Sequence, residues 1–522
     1  MITAKRKHIR VTYSTLNSPD TLLHEYYEND LVSAKANFGN SFPMYVNGEW
    51  VTVENTFTSV SPVDTNLTVG HFQDAGPGDV TAAVQAAGEA FPAWREMPWQ
   101  DRNMLITKVS DLISERLFML GAVISIEVGK NRLESIGEVE EAADLIRHCV
   151  NTMNDNNGFS RQLESEDSRT RNHSVLKPYG VWGVISPFNF PCALSCGPIG
   201  AALVSGNTVV HKPADDAPYM AYLLAECFHD AGIPAGVYNM VTGGDEPGKA
   251  LVANKDVNGI TFTGSYEVGM SILRDYAAGG EFVRPLVAEM GGKNAAIVSS
   301  NAHLETAALG VMRSAFGATG QKCSACSRVY VHRDLKTAFT ERLVELTKQV
   351  KVGDPTLREN YVGPLVNEAA YLAYQEYVAH AAADGEILVG GETLDESGYY
   401  VAPTVVDNLP FDHYLWKDEL FVPLVVVGEY EHREEAMRMA NDTSLGLTAG
   451  FFSQDDAEVQ WFLENIDAGC VYVNRAAGAT TGAWPGYQAF GGWKGSTGTN
   501  KSSMGYYYLQ QYMREQSQTV LS

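Results

Sequence analysis

The sequence predicts an α/β protein of two or three domains built on parallel sheets, and three observations predict it. The chain has 522 residues, and single cores stop growing at roughly 250–300 residues. From about residue 180 to 300, short β-rich runs alternate with helix-length segments, the signature of βαβ units. A second alternation of the same kind begins near residue 291.

The elements follow in order. The start, MITAKRKHIRVTYSTLNSP, is basic but lacks the Ser-rich, Arg-rich amphipathic length of a transit peptide. IRVTY reads as a strand, and the segment as a short arm of a cytoplasmic protein. YGVWGVIS (179–186) is a strand, followed by a small-residue helix in LSCGPIGAALVSG. NTVVHKPA (207–214) is the next strand, and APYMAYLLAECFHDAGIPAG a helix with a Gly and Pro stop. VYNMVTGG (237–244), a helix near EPGKALVA, and VNGITFTGS (257–265) continue the beat. Right-handed crossovers then put loops, and any ligand, at the carboxyl ends of these strands. In the second alternation KNAAIVSS, SRVYVHR and FVPLVVVGEY read as strands and DLKTAFTERLVELTKQV as an amphipathic helix. The polar stretch RQLESEDSRTRNHSVLKP (161–178) interrupts the first unit as an excursion. YYYLQQYMREQSQTV alternates like an edge strand that crosses to a partner subunit.

Composition narrows the function. Hydrophobic residues make up 45% and charged residues 19% of the chain, as in a soluble globular enzyme. The net charge of −25 argues against nucleic acid as a partner, because phosphate contacts need clustered Lys and Arg. It leaves room for an anionic ligand held by backbone N–H groups and one local lysine. No apolar run approaches the ~20 residues of a membrane helix. The seven cysteines are scattered and odd in number, which is not a disulfide framework.

Two of them stand three apart in TGQKCSACSRVY (319–330). A zinc site needs further ligands at matching spacing, and no second CxxC or Cys/His pair supplies them. A thiol redox pair is the minor alternative. A catalytic thiol needs an environment that raises its ionised fraction, a base and an oxyanion donor. ISPFNFP (185–191) places Asn189 directly after a strand, and LVAEMGGKN (286–294) places Glu289 before two glycines. Either alone is weak, since most such Asn are caps and most Glu are solvated.

Taken together, SPFNFP, VVHKPA, FTGSYEVG, AEMGGKN, GQKCSACSR, DELFVP and ANDTSLGLTAG resemble, in order and spacing, the aldehyde dehydrogenase superfamily. The resemblance spans nearly the whole chain. It implies an aldehyde dehydrogenase-like fold: a Rossmann-type NAD-binding domain (1–160 and 179–290), an α/β catalytic domain (291–504) and a small β oligomerisation extension (161–178 and 505–522). It implies that Cys323 is the nucleophile, that Asn189 and the Cys323 N–H hold the oxyanion, that Glu289 activates the hydrolytic water, and that Cys326 is a bystander. No metal is implied. For NAD it implies Ile185, Ser186, Pro187 and Phe188, then Lys212 and Asp215 at the adenosine ribose. Gly243, Phe262, Gly264, Ser265 and Gly269 follow, with Glu419 and Phe421 at the nicotinamide end. The carboxylate of Asp215 accepts from a ribose 2′-OH and repels a 2′-phosphate, favouring NAD over NADP.

GQKCSACSR is most like the 1-pyrroline-5-carboxylate dehydrogenase branch, whose substrate is L-glutamate γ-semialdehyde. That branch implies Ser324 and a loop with Gly495, Ser496 and Gly498 as substrate contacts. A Gly-rich turn before the last strand is the neutral reading of the loop. Another semialdehyde, or an aromatic aldehyde met by Phe188 and Tyr487, is the second specificity, and a non-catalytic relative the contrasting class. The family implies a homodimer or dimer of dimers.

Overall fold

The computed structural model describes residue 11 and residues 21–279, 282–395, 397–476, 484–499 and 501–521. Apart from Val11, the strand expected over IRVTY lies outside them. Two seven-stranded sheets carry the chain. In the first, the strands run Leu286–Glu289, Val257–Thr263, Val181–Ile185, Thr208–Lys212, Tyr238–Met240, then Met44–Val46 and Glu49–Val51. The first five are parallel, and the last two are an added antiparallel pair. Four helices follow these strands in the βαβ beat: Ala193–Val204, Pro218–Asp230, Asp245–Ala253 and Tyr266–Gly279. Strand order reverses between Val181–Ile185 and Val257–Thr263. In an open parallel sheet that switch point opens a crevice at the carboxyl ends.

The second sheet runs Glu386–Val389, Thr404–Asp407, Leu424–Tyr430, Cys326–His332, Asn294–Val298, Thr448–Phe452, Cys470–Val473. All its pairings but the first are parallel. Their central strands are apolar on both faces because helices cover both faces. Only residues 290–293 separate the end of Leu286–Glu289 from the start of Asn294–Val298. The carboxyl end of one sheet thus leads directly to the amino end of the other.

Helices occupy most of residues 21–155, among them Leu117–Glu127 and Arg132–Asp155. Every residue of Leu117–Glu127 but Met119 is buried. No described helix is long and apolar enough to cross a membrane. The excursion and the chain end meet: Met513–Leu521 pairs antiparallel with Thr170–Pro178 over nine residues, and Ser160–Gln162 adds a third strand.

Candidate functional site

The cleft forms where the two sheets meet. Val181–Ile185 runs into SPFNFP, which leaves Asn189 only 6% exposed, its Nδ2 donating to the Gln321 carbonyl at 3.0 Å. That carbonyl stands two residues before Cys323. One N–H therefore ties the amide to the turn that carries Cys323, and the amide has a second N–H to give.

Glu289 ends its strand, 8% exposed. Its Oε1 accepts from the Thr497 hydroxyl at 3.2 Å, and its buried Oε2 has no donor among the described residues. Burial pushes the carboxyl up to about 8, with the Thr497 hydrogen bond opposing. Such a group is poised between acid and base near neutral pH.

Cys323 is partly exposed. Burial, then the carboxylates of Glu419 and Glu289, push its thiol up, while the N–H groups of Ser324 and Cys323 pull the other way. Asn294 fixes this turn. Its Nδ2 donates to the carbonyls of Cys323 at 2.7 Å and Ala325 at 2.9 Å, and its Oδ1 accepts from the Thr448 N–H at 2.9 Å. The two glycines of EMGGKN allow the crossing between sheets. A Cβ on Gly292 would come within 2.3 Å of the Cys323 carbonyl, and one on Gly291 within 2.0 Å of Glu419 Oε2. Cys326 differs from Cys323: it is buried, its Sγ donates to the Arg328 carbonyl at 3.5 Å, and burial pushes it up to about 12.

A cradle opens along the same strand ends. Lys212 is 7% exposed with no carboxylate at ion-pair distance among the described residues, and burial lowers its ammonium, Asp215 opposing first. Gly243 takes φ +138°, and Asp215 Oδ2 lies 3.9 Å from where a Gly244 Cβ would stand. Gly264 and Ser265 open the helix Tyr266–Gly279, with Ser265 Oγ accepting from the Val268 N–H at 3.2 Å. A helix N-terminus, a lone buried lysine and an exposed carboxylate beside a glycine fit a pyrophosphate and a ribose. At the far end Glu419 accepts from the Gly292 N–H at 2.9 Å and is pushed up to about 7 by burial. Phe421, at φ +56°, sets its ring edge-on to Phe188 at 5.9 Å.

The family model described as "Aldehyde dehydrogenase family" matches residues 50–518. The chain belongs to the aldehyde dehydrogenase family. A 1-pyrroline-5-carboxylate dehydrogenase of Staphylococcus aureus is 34% identical over 495 residues, 94% of this chain and 95% of the relative. The solved 1-pyrroline-5-carboxylate dehydrogenase from Thermus with bound NAD superposes with TM-score 0.94 at 31% identity, covering all of both chains. An NAD+ complex of an aldehyde dehydrogenase from Bacillus cereus gives 0.88 at 31%, covering 94% of this chain and 98% of that one.

Within this family member, the three expected catalytic residues gather on one cleft. Of the other cofactor candidates, Ile185 ends its strand, and Ser186 Oγ bonds His211 Nε2 at 2.9 Å. Phe262 packs its ring where a Gly264 Cβ would stand, and Gly269 lets its helix close on Met290. The substrate candidates divide. Ser324 is buried next to Cys323. In the loop, the N–H groups of Gly495, Ser496 and Gly498 are bonded to the carbonyls of Ser444, Trp493 and Ala288. The Ser496 hydroxyl donates to the Gly291 carbonyl at 2.7 Å and accepts from the Gly446 N–H at 2.9 Å. This loop braces the Glu289 strand and has no donor left in those groups for a substrate. Tyr487 is 69% exposed.

Sequence reasoning missed several neighbours. Thr497, between two named loop residues, is the one that reaches Glu289. Lys130 and Glu138 form a buried ion pair at 2.6 Å, with Lys130 Nζ 3.3 Å over the Phe190 ring. Lys322 pairs with Glu134 at 3.2 Å. Lys130, Phe188, Asn189, Ala318 and Gln321 line one small cavity. The available signal was charge on a helix whose other residues are mostly apolar.

Proposed function

We propose that this aldehyde dehydrogenase uses NAD to oxidise L-glutamate γ-semialdehyde, the open form of 1-pyrroline-5-carboxylate, to L-glutamate. The observation that carries the chemistry is a partly exposed Cys323 beside an amide with one N–H to give and a buried carboxyl with one oxygen lacking a donor. The substrate rests on likeness to relatives of that name over about 95% of the chain.

Cys323 Sγ attacks the aldehyde carbon. The resulting oxyanion is met by Asn189 Nδ2 and the Cys323 N–H. Lys212, Asp215, Gly243, Gly264 and Ser265 would hold the adenosine and phosphate portions of NAD, and Glu419 and Phe421 its nicotinamide end, where it would supply the hydride acceptor. Glu289 Oε2 then takes a proton from the water that opens the thioester on Cys323. The exposed Asp215 disfavours a 2′-phosphate. The free state of all seven cysteines accords with a cytoplasmic enzyme. The outer edge of Met513–Leu521 offers a second copy a place to pair, which supports a homodimer or dimer of dimers.

The test is nicotinamide reduction by the purified protein with NAD or NADP and a panel of aldehydes. The semialdehyde with NAD is expected to give the highest kcat/KM. Cys323→Ala is expected to abolish turnover and Cys326→Ser to leave it nearly intact. Equal loss in the two variants would contradict the nucleophile assignment, and a simple aliphatic aldehyde as best substrate would contradict the specificity.

A further inference from the structure

The turn that delivers Cys323 is built from residues in an unfavourable backbone conformation. Ala318, Thr319 and Gly320 lie in succession at φ +47°, +58° and +69°. Gly320 tolerates this freely, but the other two carry a Cβ that crowds the following carbonyl, and Thr319 is also β-branched. Strain of this kind persists only where surrounding structure over-determines it.

One carboxylate from a different element reaches both ends of it. Glu134, in the first turn of the helix Arg132–Asp155, accepts the Ala318 N–H on Oε2 at 2.8 Å and Lys322 Nζ on Oε1 at 3.2 Å. Both ends of the turn, residues 318 and 322, therefore hang on a single side chain. Asn131 Nδ2, itself donating to the Tyr361 carbonyl at 2.9 Å, also donates to Glu134 Oε2 at 2.5 Å and steadies it. The enclosure is tight: a Cβ on Gly317 would stand 2.6 Å from Lys322 Nζ and 2.9 Å from Glu134 Oε1. Thr319 Oγ1 adds one bond, to the Gly363 carbonyl at 3.2 Å. Gln321, inside the same turn, carries the carbonyl that holds Asn189. Any relaxation of residues 318–320 would move nucleophile and oxyanion donor together.

We propose that Glu134 is a positioning residue for the reaction: by gripping Ala318 and Lys322 it holds the left-handed turn that sets Cys323 against Asn189 and Glu289. This rests on the reading of Cys323 as nucleophile. It assigns Glu134 no contact with substrate.

A double-mutant cycle tests it, because glycine adopts positive φ without strain. Glu134→Ala is expected to lower kcat by about 100-fold, the scale of a misplaced reacting group, with the KM for NAD little changed. The rate of alkylation of Cys323 by iodoacetamide, followed by mass of its peptide, should fall with it. Ala318→Gly alone should behave like the wild type. Added to Glu134→Ala, it should recover about tenfold in kcat and in alkylation rate, because the relaxed turn no longer has a Cβ to accommodate. A charge or substrate-binding role for Glu134 gives no such rescue. Glu134→Gln, which keeps an acceptor for the Ala318 N–H, should lose less than Glu134→Ala. A double variant no better than Glu134→Ala, or a fully active Glu134→Ala, would overturn the proposal. If complete alkylation of Cys323 left wild-type turnover intact, the nucleophile reading itself would fall. The alkylation rates of the four proteins would still decide whether Glu134 holds the turn.

Discussion

Glu138 and Glu289 are both buried carboxylates within the same chain, one under the helical side and one at a strand end in the cleft. Their surroundings differ. Around Glu138 both oxygens have donors: Oε1 receives the Cys192 N–H at 2.8 Å and the Ala193 N–H at 3.3 Å, and Oε2 receives Lys130 Nζ. Burial pushes that carboxyl up, and Lys130 with the two N–H groups pulls it down. Glu289 has one hydroxyl donor and one oxygen with none. A satisfied buried carboxylate fixes structure, here the start of the helix Ala193–Val204 behind Asn189. An unsatisfied one stores proton affinity that a reaction can use.

Several substitutions would sharpen or break that contrast. The largest effect is expected at Glu138. Glu138→Ala leaves the Lys130 ammonium buried and unpaired, which costs about 3–5 kcal/mol, and urea denaturation should show it as a lower midpoint with m unchanged. Glu289→Gln should do the reverse: turnover falls by about 10²–10⁴, while stability near pH 7 is kept or gained. A Glu289→Gln protein as destabilised as Glu138→Ala would erase the distinction.

The next effect is a pH slope. Glu289, up to about 8 from an ordinary 4.5, keeps its proton in the folded chain over a window where the unfolded chain has released it. Its contribution to stability is fully present below about 4.5 and is lost as pH rises through about 8. Each such carboxyl gives at most about 1.4 kcal/mol per pH unit. Denaturation at a series of pH values should show a shallower loss in Glu289→Gln than in the wild type, and an unchanged slope would return Glu289 to the ordinary carboxyls. The smallest change is expected at Glu127. It is also pushed up to about 8 by burial and accepts the N–H groups of Tyr219 and Met220 at the start of Pro218–Asp230. Glu127→Gln keeps one acceptor for that helix but turns an NH2 toward the second N–H, so the unfolding free energy should fall by about 1 kcal/mol.

Parallel strands were legible in the sequence because Val181–Ile185, Thr208–Lys212 and Leu424–Tyr430 are mostly buried on both faces and carry the apolar runs VWGVI, VV and LVVV. The sequence motif set Cys323 and Cys326 apart, and their exposure differs, Cys323 partly exposed and Cys326 buried. The helical region was not. Leu117–Glu127 has no polar face to set a period, so nothing in it marks one side as inward. The pairing of Glu134 with Lys322 joins residues 188 apart, and only the assembled cleft brings them together. Gly495, Ser496 and Gly498 were named from the loop's resemblance to the branch, and sequence alone could not show that their N–H groups bond the carbonyls of Ser444, Trp493 and Ala288.

Pre-steady-state kinetics of Glu289→Gln with NAD and L-glutamate γ-semialdehyde test the division of labour most directly. Cys323 and Asn189 remain intact in this variant, so acylation should proceed and deacylation should stall. The account predicts a rapid burst of one NADH per active site followed by slow turnover. A linear time course with no burst, or steady turnover at the wild-type rate, would contradict it.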